Sequence, residues 1–563
     1  MSEDIVMQKS SIHSVVYQIW PRSFMDSNHD GIGDIKGILS RLDHVKELGA
    51  NQIWLSPVYR SPNHDYGYDV QDYYSIQLEF GTMADMELLI QACHDRGIEL
   101  IMDLVANHTS DQHPWFQAAL QDVNSKYRDF YFFREGKQNK EPNNWISLFG
   151  GSAWTKVVSE NNMYYLSLFT PNQCDLNWRN AELRSEIHKN MRFWLDKGID
   201  GFRMDVINMI SKIPDLRDKN PHKRGYQFAD DYIISRPESF DYLMEMYDEV
   251  LSDRSGLFVG EGVLINPESS KRYSGKDTKM LDLMFHFDTV LIGCGPLGKY
   301  DFRKLYRWTI KEFKDIYFKW QLASVKDNFY LGNFLSNHDN GRAVTRFGNV
   351  KKYHKESAKA LNLLTLMSRG TPFIYQGEEI GMTNLKLEKE DWRDFEAIND
   401  YDVLQEMMHL PKGIAKKVIQ EMTRDNARTP MQWSNETYAG FSTSKPWIKV
   451  NPNKDVINVL DQKNREDSIL AFTKKAIELY RSDDTFAFGD MIPYLIKHTE
   501  LLAFERVGSH RYLVLINMSK HTIHFPVSEN FINTECVISN YSVGPLMAKM
   551  VFRPYEARVY RVI

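Results

Sequence analysis

The sequence predicts an α/β protein built on a (β/α)8 TIM barrel, with an inserted small domain after strand 3 and a C-terminal antiparallel β domain. Three observations predict this fold class. Short apolar runs alternate with amphipathic helices over the first two-thirds of the chain. One long polar and aromatic stretch interrupts the alternation. After about residue 485 the pattern changes to short strands separated by turns.

Eight apolar runs are each followed by helical material, as a parallel barrel requires. The predicted strands are residues 15–20, 53–55, 99–105, 201–206, 257–260, 282–287, 330–335 and 372–376. Between the first two, apolar residues recur at helical spacing from Ile35 to Leu48, and Gly49 is a suitable helix stop. A second apolar helix face begins at Leu183 and ends at Gly198.

These patterns divide the chain into three predicted domains. The barrel takes residues 1–106 and 176–485, and it includes a charged, helix-like excursion over residues 384–424. Residues 107–175 are too long for a plain loop and are interpreted as an inserted domain. Residues 486–563 are predicted to form a C-terminal β-sandwich.

Composition excludes some classes of partner. The chain has 563 residues and a formal net charge of −6 without a basic patch, so we expect no nucleic-acid binding. No stretch approaches the length of a membrane span, and the N-terminal residues lack the pattern of a secretion signal. Four scattered cysteines suit a reducing compartment. We therefore expect a cytoplasmic monomer without membrane contact.

Charged residues gather where four of the predicted strands end, on the loops where barrel enzymes carry their chemistry. They are Asp103 and His108 after strand 3, Arg203 and Asp205 at strand 4, Glu261 at strand 5, and His338 and Asp339 after strand 7. A single aspartate at such a place usually caps a helix or accepts a loop hydrogen bond. Acidic residues after four strands of one barrel instead predict one shared pocket.

These residue types suit the cleavage of a glycosidic bond. One carboxylate must stay ionised to attack the anomeric carbon, and Asp205 is the candidate. Arg203 lies two residues away on the same strand face, and its charge favours the ionised form. A second carboxyl must donate a proton, and Glu261 stands at an apolar strand end where its pKa should be raised. A retaining pair would stand about 5–5.5 Å apart.

Four motifs together resemble the signature stretches of the α-amylase family of glycoside hydrolases. They are DLVANHTS, GFRMDV, FVGEG and LSNHDN, in the family's order and at the corresponding strands, and QCDLNW at residues 173–178 resembles a fifth. The resemblance covers nearly the whole chain. It implies the family's barrel fold, with Asp205 as nucleophile, Glu261 as general acid/base and Asp339 as a third essential carboxylate. It also implies that His108, Arg203 and His338 bind the first sugar.

Four further stretches are similar to the oligo-1,6-glucosidase and dextran glucosidase branch. They are YQIWPRSF, HDYGYD, YQGEEIGMTN and RDNARTPMQW. In that branch the matching aspartate, tyrosine and arginine enclose the non-reducing-end glucose, which implies these roles for Asp65, Tyr68 and Arg428. A closed pocket of this kind favours removal of a single terminal glucose from a short oligosaccharide.

Two residues indicate the linkage that is cleaved. Val206 follows the nucleophile, as in relatives that prefer α-1,6 bonds, and Lys299 matches another position of those enzymes. The chain departs from the branch at Gly262-Val263, where Met usually follows the acid/base, and at Cys174, where Pro is common. Sucrose, isomaltulose and trehalose 6-phosphate remain alternative substrates, and glucosyl transfer or isomerisation remain alternative reactions. The arginine- and aspartate-rich motif of sucrose isomerases is absent between residues 285 and 333.

A glycine-rich loop near the start predicts a cation site. Oxygen-bearing residues alternate along it, as hard cations require, and the twelfth position lacks the glutamate of an EF-hand. Relatives use this loop for a structural Ca²⁺. The implied ligands are Asp26, Asn28, Asp30, the carbonyl of Ile32, and Asp34. We expect no organic cofactor.

Two other functions would require sequence features of their own. Non-catalytic homologues of the α-amylase fold carry a membrane span and lack the catalytic carboxylates, and this chain has neither feature. A phosphosugar hydrolase would need basic residues on the leaving-group side. Lys271, Arg272 and Lys276 are the candidates for that role.

Overall fold

The computed structural model describes most of the chain. The described residues are 11–138, 140–276, 278, 280–295, 299–301, 307–406, 408–531, 533–542 and 545–563. Residues 1–10 lie outside the described residues. Their sequence is one basis for expecting a cytoplasmic protein. No helix in the described ranges combines the length and apolar character needed to cross a membrane.

Eight parallel strands form the barrel, which confirms the predicted fold class. They are β1 (Val16–Ile19), β2 (Gln52–Leu55), β3 (Glu99–Val105), β4 (Gly201–Asp205), β5 (Leu257–Glu261), β6 (Leu283–Phe285), β7 (Gly332–Asn333) and β8 (Thr371–Tyr375). The sheet order runs from β6 through β5, β4, β3, β2, β1 and β8 to β7. A parallel bridge between Met284 and Leu331 joins its two ends.

Burial on both faces explains why the strand sequences are apolar runs rather than alternating ones. Every residue of β1, β2, β4, β5 and β8 is buried. The seventh strand is shorter than predicted, because its ladder with β8 pairs only Gly332 with Thr371 and Asn333 with Pro372. The apolar run 330–335 therefore marks a buried segment, of which only the middle is strand.

Helices surround the barrel, and the sequence signals at their ends are observed. The helix Ile35–Leu48 is capped by Asp34, whose side chain accepts the N–H of Gly37, and Gly49 ends it with a φ of +97°. The other helices of eight or more residues are Met83–His94, Pro114–Gln121, Ala181–Asp196, Pro237–Met246, Pro267–Ser274, Ile310–Asp327, His354–Met367, Phe395–Glu406, Lys412–Met422 and Ile469–Ser482.

The stretch after β3 forms small antiparallel sheets, as expected for an insertion. Its strands are His108–Ser110, Phe133–Glu135, Trp154–Lys156, Met163–Leu166 and Gln173–Asp175. A buried ion pair fastens this insertion to the barrel, since Lys212 Nζ lies 2.7 Å from Asp175 Oδ1 and donates to Asn107 Oδ1 at 2.7 Å. The boundaries 107–175 stay a prediction.

The C-terminal region is an antiparallel β structure of two sheets. Its strands are Asp490–Pro493, Leu501–Val507, Arg511–Asn517, Ile523–Pro526, Thr534–Ser539, Lys549–Phe552 and Ala557–Val562. Five of them form one sheet, and Ile523–Pro526 pairs with Lys549–Phe552 in the other. Apolar side chains of both sheets share one core, including Leu513, Phe525 and Phe552. The boundary at residue 486 stays a prediction.

Candidate active site

The predicted carboxylates meet at the C-terminal ends of the barrel strands. Asp103 lies in β3, Asp205 is the last residue of β4, and Glu261 is the last residue of β5. Because β3, β4 and β5 are neighbours in register, Arg203 stands opposite Asp103 on one side and opposite Val259 on the other. Strand order alone therefore brings these side chains to one rim of the barrel.

Arg203 is the centre of this cluster. Its Nη1 lies 2.5 Å from Asp103 Oδ1 and 2.7 Å from Asp205 Oδ1, and its Nη2 lies 2.7 Å from Glu261 Oε2. The guanidinium side chain is only 1% exposed, so the three ion pairs form away from bulk water. One cation thus holds the predicted nucleophile and the predicted acid/base together.

Burial and Arg203 act in opposite directions on the two reactive carboxyls. Burial raises the pKa of Asp205 to about 6 although Arg203 lowers it, and burial raises the pKa of Glu261 to about 7 against the same lowering. The sequence predicts that the charge of Arg203 keeps Asp205 ionised, but burial has the larger effect on the pKa of Asp205. Both carboxyls therefore titrate above their ordinary range, and because they share Arg203 they titrate as a coupled pair.

Val206 links the two carboxyl-bearing strands through its backbone. It adopts a left-handed conformation, with φ +38° and ψ +40°, directly after Asp205. A β-branched residue in this region is strained by about 1–3 kcal/mol. The conformation directs the Val206 N–H to Glu261 Oε2, to which it donates at 2.9 Å. The strain therefore accompanies a direct contact with the predicted acid/base.

The segment after β7 brings His338 and Asp339 into contact with Tyr68 and Arg428. His338 Nε2 lies 2.7 Å from the Tyr68 hydroxyl and 2.9 Å from Asp339 Oδ2, and the Tyr68 and His338 rings stack. Arg428 donates from Nη2 to Asp339 Oδ1 at 3.1 Å and from Nε to the His338 carbonyl at 3.1 Å. Burial opposes ionisation, but His338 and Arg428 hold the pKa of Asp339 well below its ordinary value.

Arg424 is a site residue that sequence reasoning missed. Asp65 forms its ion pair with Arg424, whose Nη1 lies 2.9 Å from Asp65 Oδ1, whereas Arg428 contacts Asp339. Asp394 holds the same guanidinium at 2.8 Å. The motif RDNARTPMQW contained the signal, because its two arginines are four residues apart and share one helix face.

The insertion supplies the remaining wall. His108 is buried, with Nε2 3.0 Å from the Tyr68 carbonyl oxygen and 3.1 Å from Gln173 Nε2, and burial lowers its pKa. Gln173 Nε2 also reaches Asp65 Oδ2 at 3.3 Å. The Phe149 ring lies 5.2 Å from the Arg424 guanidinium carbon, so an aromatic side chain packs against the Asp65–Arg424 ion pair, which is called the clamp below. The predicted substrate residues His108, Tyr68 and Asp65 are therefore joined by one set of contacts.

The unusual loop after Glu261 is anchored to the loop after β4. Val263 N–H donates to Asn208 Oδ1 at 3.0 Å, and Asn208 Nδ2 donates to the Val263 carbonyl at 2.9 Å. A side chain at position 262 would meet Ile265 at 2.7 Å, which explains the glycine. Val263 packs against the apolar cluster that contains Val206. The Gly262-Val263 stretch that departs from the branch is thus held against the loop after β4.

Lys299 lies in a charged network beside the clamp. Its Nζ donates to Glu396 Oε2 at 3.1 Å, and Glu396 Oε2 is 3.9 Å from Arg424 Nε. The helix Phe395–Glu406 therefore joins the predicted linkage-determining lysine to the Asp65–Arg424 pair.

The predicted metal loop offers hard oxygen donors. Asp26 is buried and accepts three backbone N–H groups of the loop, and Asn28 and Asp30 each accept one. Asp34 caps the following helix. Across the described residues, no three His, Cys, Asp or Glu side chains converge as a metal cluster. The donor chemistry fits a hard cation, which would replace these N–H contacts.

The comparisons with known proteins place this site in a family. The family model for the catalytic domain of alpha amylase matches residues 18–489. The chain belongs to the α-amylase family. Within this family, an oligo-1,6-glucosidase of Parageobacillus thermoglucosidasius is 44% identical over 564 aligned residues that cover 98% of each chain. The family and branch that the motifs predicted are confirmed, and the chain is a glycoside hydrolase.

Solved structures of other proteins have the same fold. A trehalose-6-phosphate hydrolase of Bacillus licheniformis is 38% identical, with a TM-score of 0.91 over 98% of this chain and 99% of that one. An isomaltulose synthase of Klebsiella sp. LX3 is 37% identical, with a TM-score of 0.93 over 98% and 99% of the two chains. The same fold is thus found in a hydrolase and in a synthase, so the fold alone does not decide the reaction.

Proposed function

We propose that this protein is a retaining α-glucosidase that releases a terminal non-reducing glucose from short α-glucosides, with a preference for α-1,6 links. The observation that carries the proposal is the pairing of Asp205 and Glu261 with one buried guanidinium, that of Arg203. Sharing one cation keeps the two carboxyls close, which favours the short separation of retaining enzymes over the wider one of inverting enzymes.

The reaction proceeds in two displacements. Asp205 attacks the anomeric carbon while Glu261 donates its proton to the glycosidic oxygen, so the leaving alcohol departs neutral and a β-glucosyl ester forms on Asp205. Glu261, now a carboxylate, takes a proton from water as that water attacks the same carbon. The products are α-glucose, free Asp205 and reprotonated Glu261.

The pocket geometry explains why a single glucose is removed. The ionised Asp339 and Arg428 offer charged hydrogen-bond partners to the hydroxyls of the bound sugar, and the Asp65–Arg424 pair closes the far end. In this proposal the closed end excludes further sugars on the non-reducing side, and the substrate extends toward Glu261, where the leaving group would lie.

Two observations support the α-1,6 preference. The residue after the predicted nucleophile is Val206, and Lys299 lies beside Glu396 at the edge of the clamp. The oligo-1,6-glucosidases at 40–44% identity cover nearly the whole chain.

The release of glucose from isomaltose, panose, maltose, sucrose and trehalose 6-phosphate tests the proposal. We expect isomaltose and panose to be the best substrates, and preference for maltose or sucrose would refute it.

Replacing Val206 with threonine should raise the cleavage of maltose relative to isomaltose. Threonine is also β-branched, so it keeps the shape at the strained backbone and exchanges only a methyl for a hydroxyl. We expect the ratio of the two kcat/KM values to change by up to about tenfold. Val206→Ala is the matched control without a hydroxyl. An unchanged ratio in the threonine variant would remove Val206 from the account of linkage preference.

The phosphosugar alternative would use Lys271, Arg272 or Lys276, and two of these three cations contact neighbouring helices. Lys271 forms an ion pair with Asp327 at 3.0 Å, and the guanidinium of Arg272 lies 3.6 Å from the Phe240 ring centre. Both belong to the helix Pro267–Ser274, and Asp327 ends the helix Ile310–Asp327 in the outer ring. These cations are therefore engaged with neighbouring helices.

The metal loop is proposed to hold a structural Ca²⁺ through Asp26, Asn28, Asp30, Ile32 and Asp34. Bound there, the ion would supply charge that holds the first barrel loop and would take no part in the reaction. Removing it with a chelator should lower Tm by about 2–4 °C, since occupancy at 100 times Kd contributes about 2.7 kcal/mol.

Added Ca²⁺ should restore the lost Tm in the chelated protein. The double variant Asp26→Asn, Asp30→Asn should show no response to either treatment. If the chelator left the Tm of the unmodified protein unchanged, the proposed Ca²⁺ site would be ruled out. The expected monomeric state and cytoplasmic location stay predictions.

A further inference from the structure

The segment that carries His338 and Asp339 receives little support from the barrel sheet. The ladder between β7 and β8 ends at Asn333, five residues before His338. β8 continues to Tyr375, but its last residues have no strand partner on that side. Ladder hydrogen bonds therefore do not fix the position of Asp339 relative to the rest of the site.

Glu378 spans the gap where the ladder stops. Ser336 donates its hydroxyl to Glu378 Oε1 at 2.6 Å, and Tyr375 donates its backbone N–H to Glu378 Oε2 at 2.9 Å. The two oxygens of one carboxyl thus join the segment after β7 to the end of β8. Asn362 fixes the Glu378 backbone by donating to its carbonyl at 3.1 Å.

A continuous chain of contacts runs from Ser336 to the reactive site. The next residue, Asn337, accepts the N–H of Asp339 on its side chain at 2.9 Å. Asp339 then contacts Arg428, as does the carbonyl of His338. A shift at Ser336 would therefore move both of the groups that face the bound sugar.

We propose that Glu378 is a positioning residue that sets His338 and Asp339 for reaction by holding Ser336, an inference that rests on the proposed function. Burial raises the pKa of this carboxyl to about 7, so retaining it there has an energetic cost. The adjacent Glu379 makes other contacts and does not hold Ser336. It accepts hydrogen bonds from the Tyr17 hydroxyl at 2.8 Å and from the Gly377 N–H at 2.7 Å, and it lies 2.9 Å from His44 Nε2.

The test compares variants at the two ends of the Ser336–Glu378 hydrogen bond. Glu378→Ala should lower kcat/KM by about 10- to 100-fold, because a misplacement of about 1 Å can cost about 100-fold. Ser336→Ala should cause part of the same loss, and the double variant should lose no more than Glu378→Ala alone. Glu378→Gln retains one oxygen acceptor and should recover part of the activity.

Glu379→Gln is the matched control, since it alters a neighbouring buried carboxyl that does not hold Ser336. It should lower Tm comparably while keeping kcat/KM within about twofold of the unmodified protein. Additive losses at positions 336 and 378, or equal losses at 378 and 379, would overturn the inference.

The leaving group shows whether the effect lies at the glucosyl ring or at the acid/base, while the double variant and the recovery in Glu378→Gln separate it from a general loss of stability. In the proposed function His338 and Asp339 contact the glucosyl ring, so Glu378→Ala should lower kcat/KM for p-nitrophenyl α-glucoside and for isomaltose by the same factor. A larger loss on isomaltose would assign the effect to Glu261 and overturn the inference. If the unmodified protein released no glucose from either compound, the proposed function would fail, and the inference with it.

Discussion

Replacing Asp205 with alanine should lower kcat/KM on isomaltose by about 10⁴-fold or more, the scale seen when a catalytic nucleophile is removed. Without this carboxylate no covalent intermediate can form on the protein. The fold should persist, because Arg203 keeps its ion pairs with Asp103 and Glu261. Steady-state kinetics with a Tm measurement checks both parts.

Azide identifies the role of the missing group. A small anion can occupy the space left in the Asp205→Ala variant and attack from the same face, which would yield β-glucosyl azide. Asp205→Asn fills that space and should not be rescued, so it is the matched control. Residual activity within about tenfold of the unmodified protein would assign the nucleophile elsewhere.

Replacing Glu261 with alanine should have an effect that depends on the leaving group. A general acid contributes about 10²–10⁴-fold, and we expect a loss of this size on isomaltose, whose leaving alcohol needs a proton. An aryl glucoside with an acidic phenol needs little protonation and should lose less in the first step. Azide should now give α-glucosyl azide, since it attacks the β-glucosyl ester on Asp205. Equal losses on both substrates without rescue would argue against this role.

The pH dependence follows from the same two groups. Activity requires ionised Asp205 and protonated Glu261, whose pKa values burial raises to about 6 and about 7. The value of kcat/KM should therefore rise through about pH 6 and fall through about pH 7, with both limbs belonging to the coupled pair. Because glutamine does not titrate, the alkaline limb should disappear in Glu261→Gln, measured on the aryl glucoside.

Strand ends explain why the carboxylates could be predicted from the sequence. Asp205 and Glu261 directly end apolar runs, and parallel strands of one barrel bring such ends to one rim. Contacts over long sequence separations could not be predicted in this way. Asp65 and Arg424 are 359 residues apart, and only packing decides which arginine of RDNARTPMQW meets Asp65.

Local conformation and burial set a second limit. Val206 is a good strand former, so nothing in the sequence predicts its left-handed backbone or its N–H contact with Glu261. The sequence also identified Arg203 as the partner of Asp205, but it could not show that the same guanidinium serves Glu261. The competition between burial and this shared charge depends on the folded structure.

The anomeric form of the first glucose released tests the central claim most directly. Proton NMR during the first minutes of isomaltose hydrolysis distinguishes α-glucose from β-glucose before mutarotation mixes them. Two displacements, at Asp205 and then by water activated at Glu261, predict α-glucose first, with the β form appearing only later. Initial release of β-glucose would mean a single displacement and would contradict the retaining mechanism.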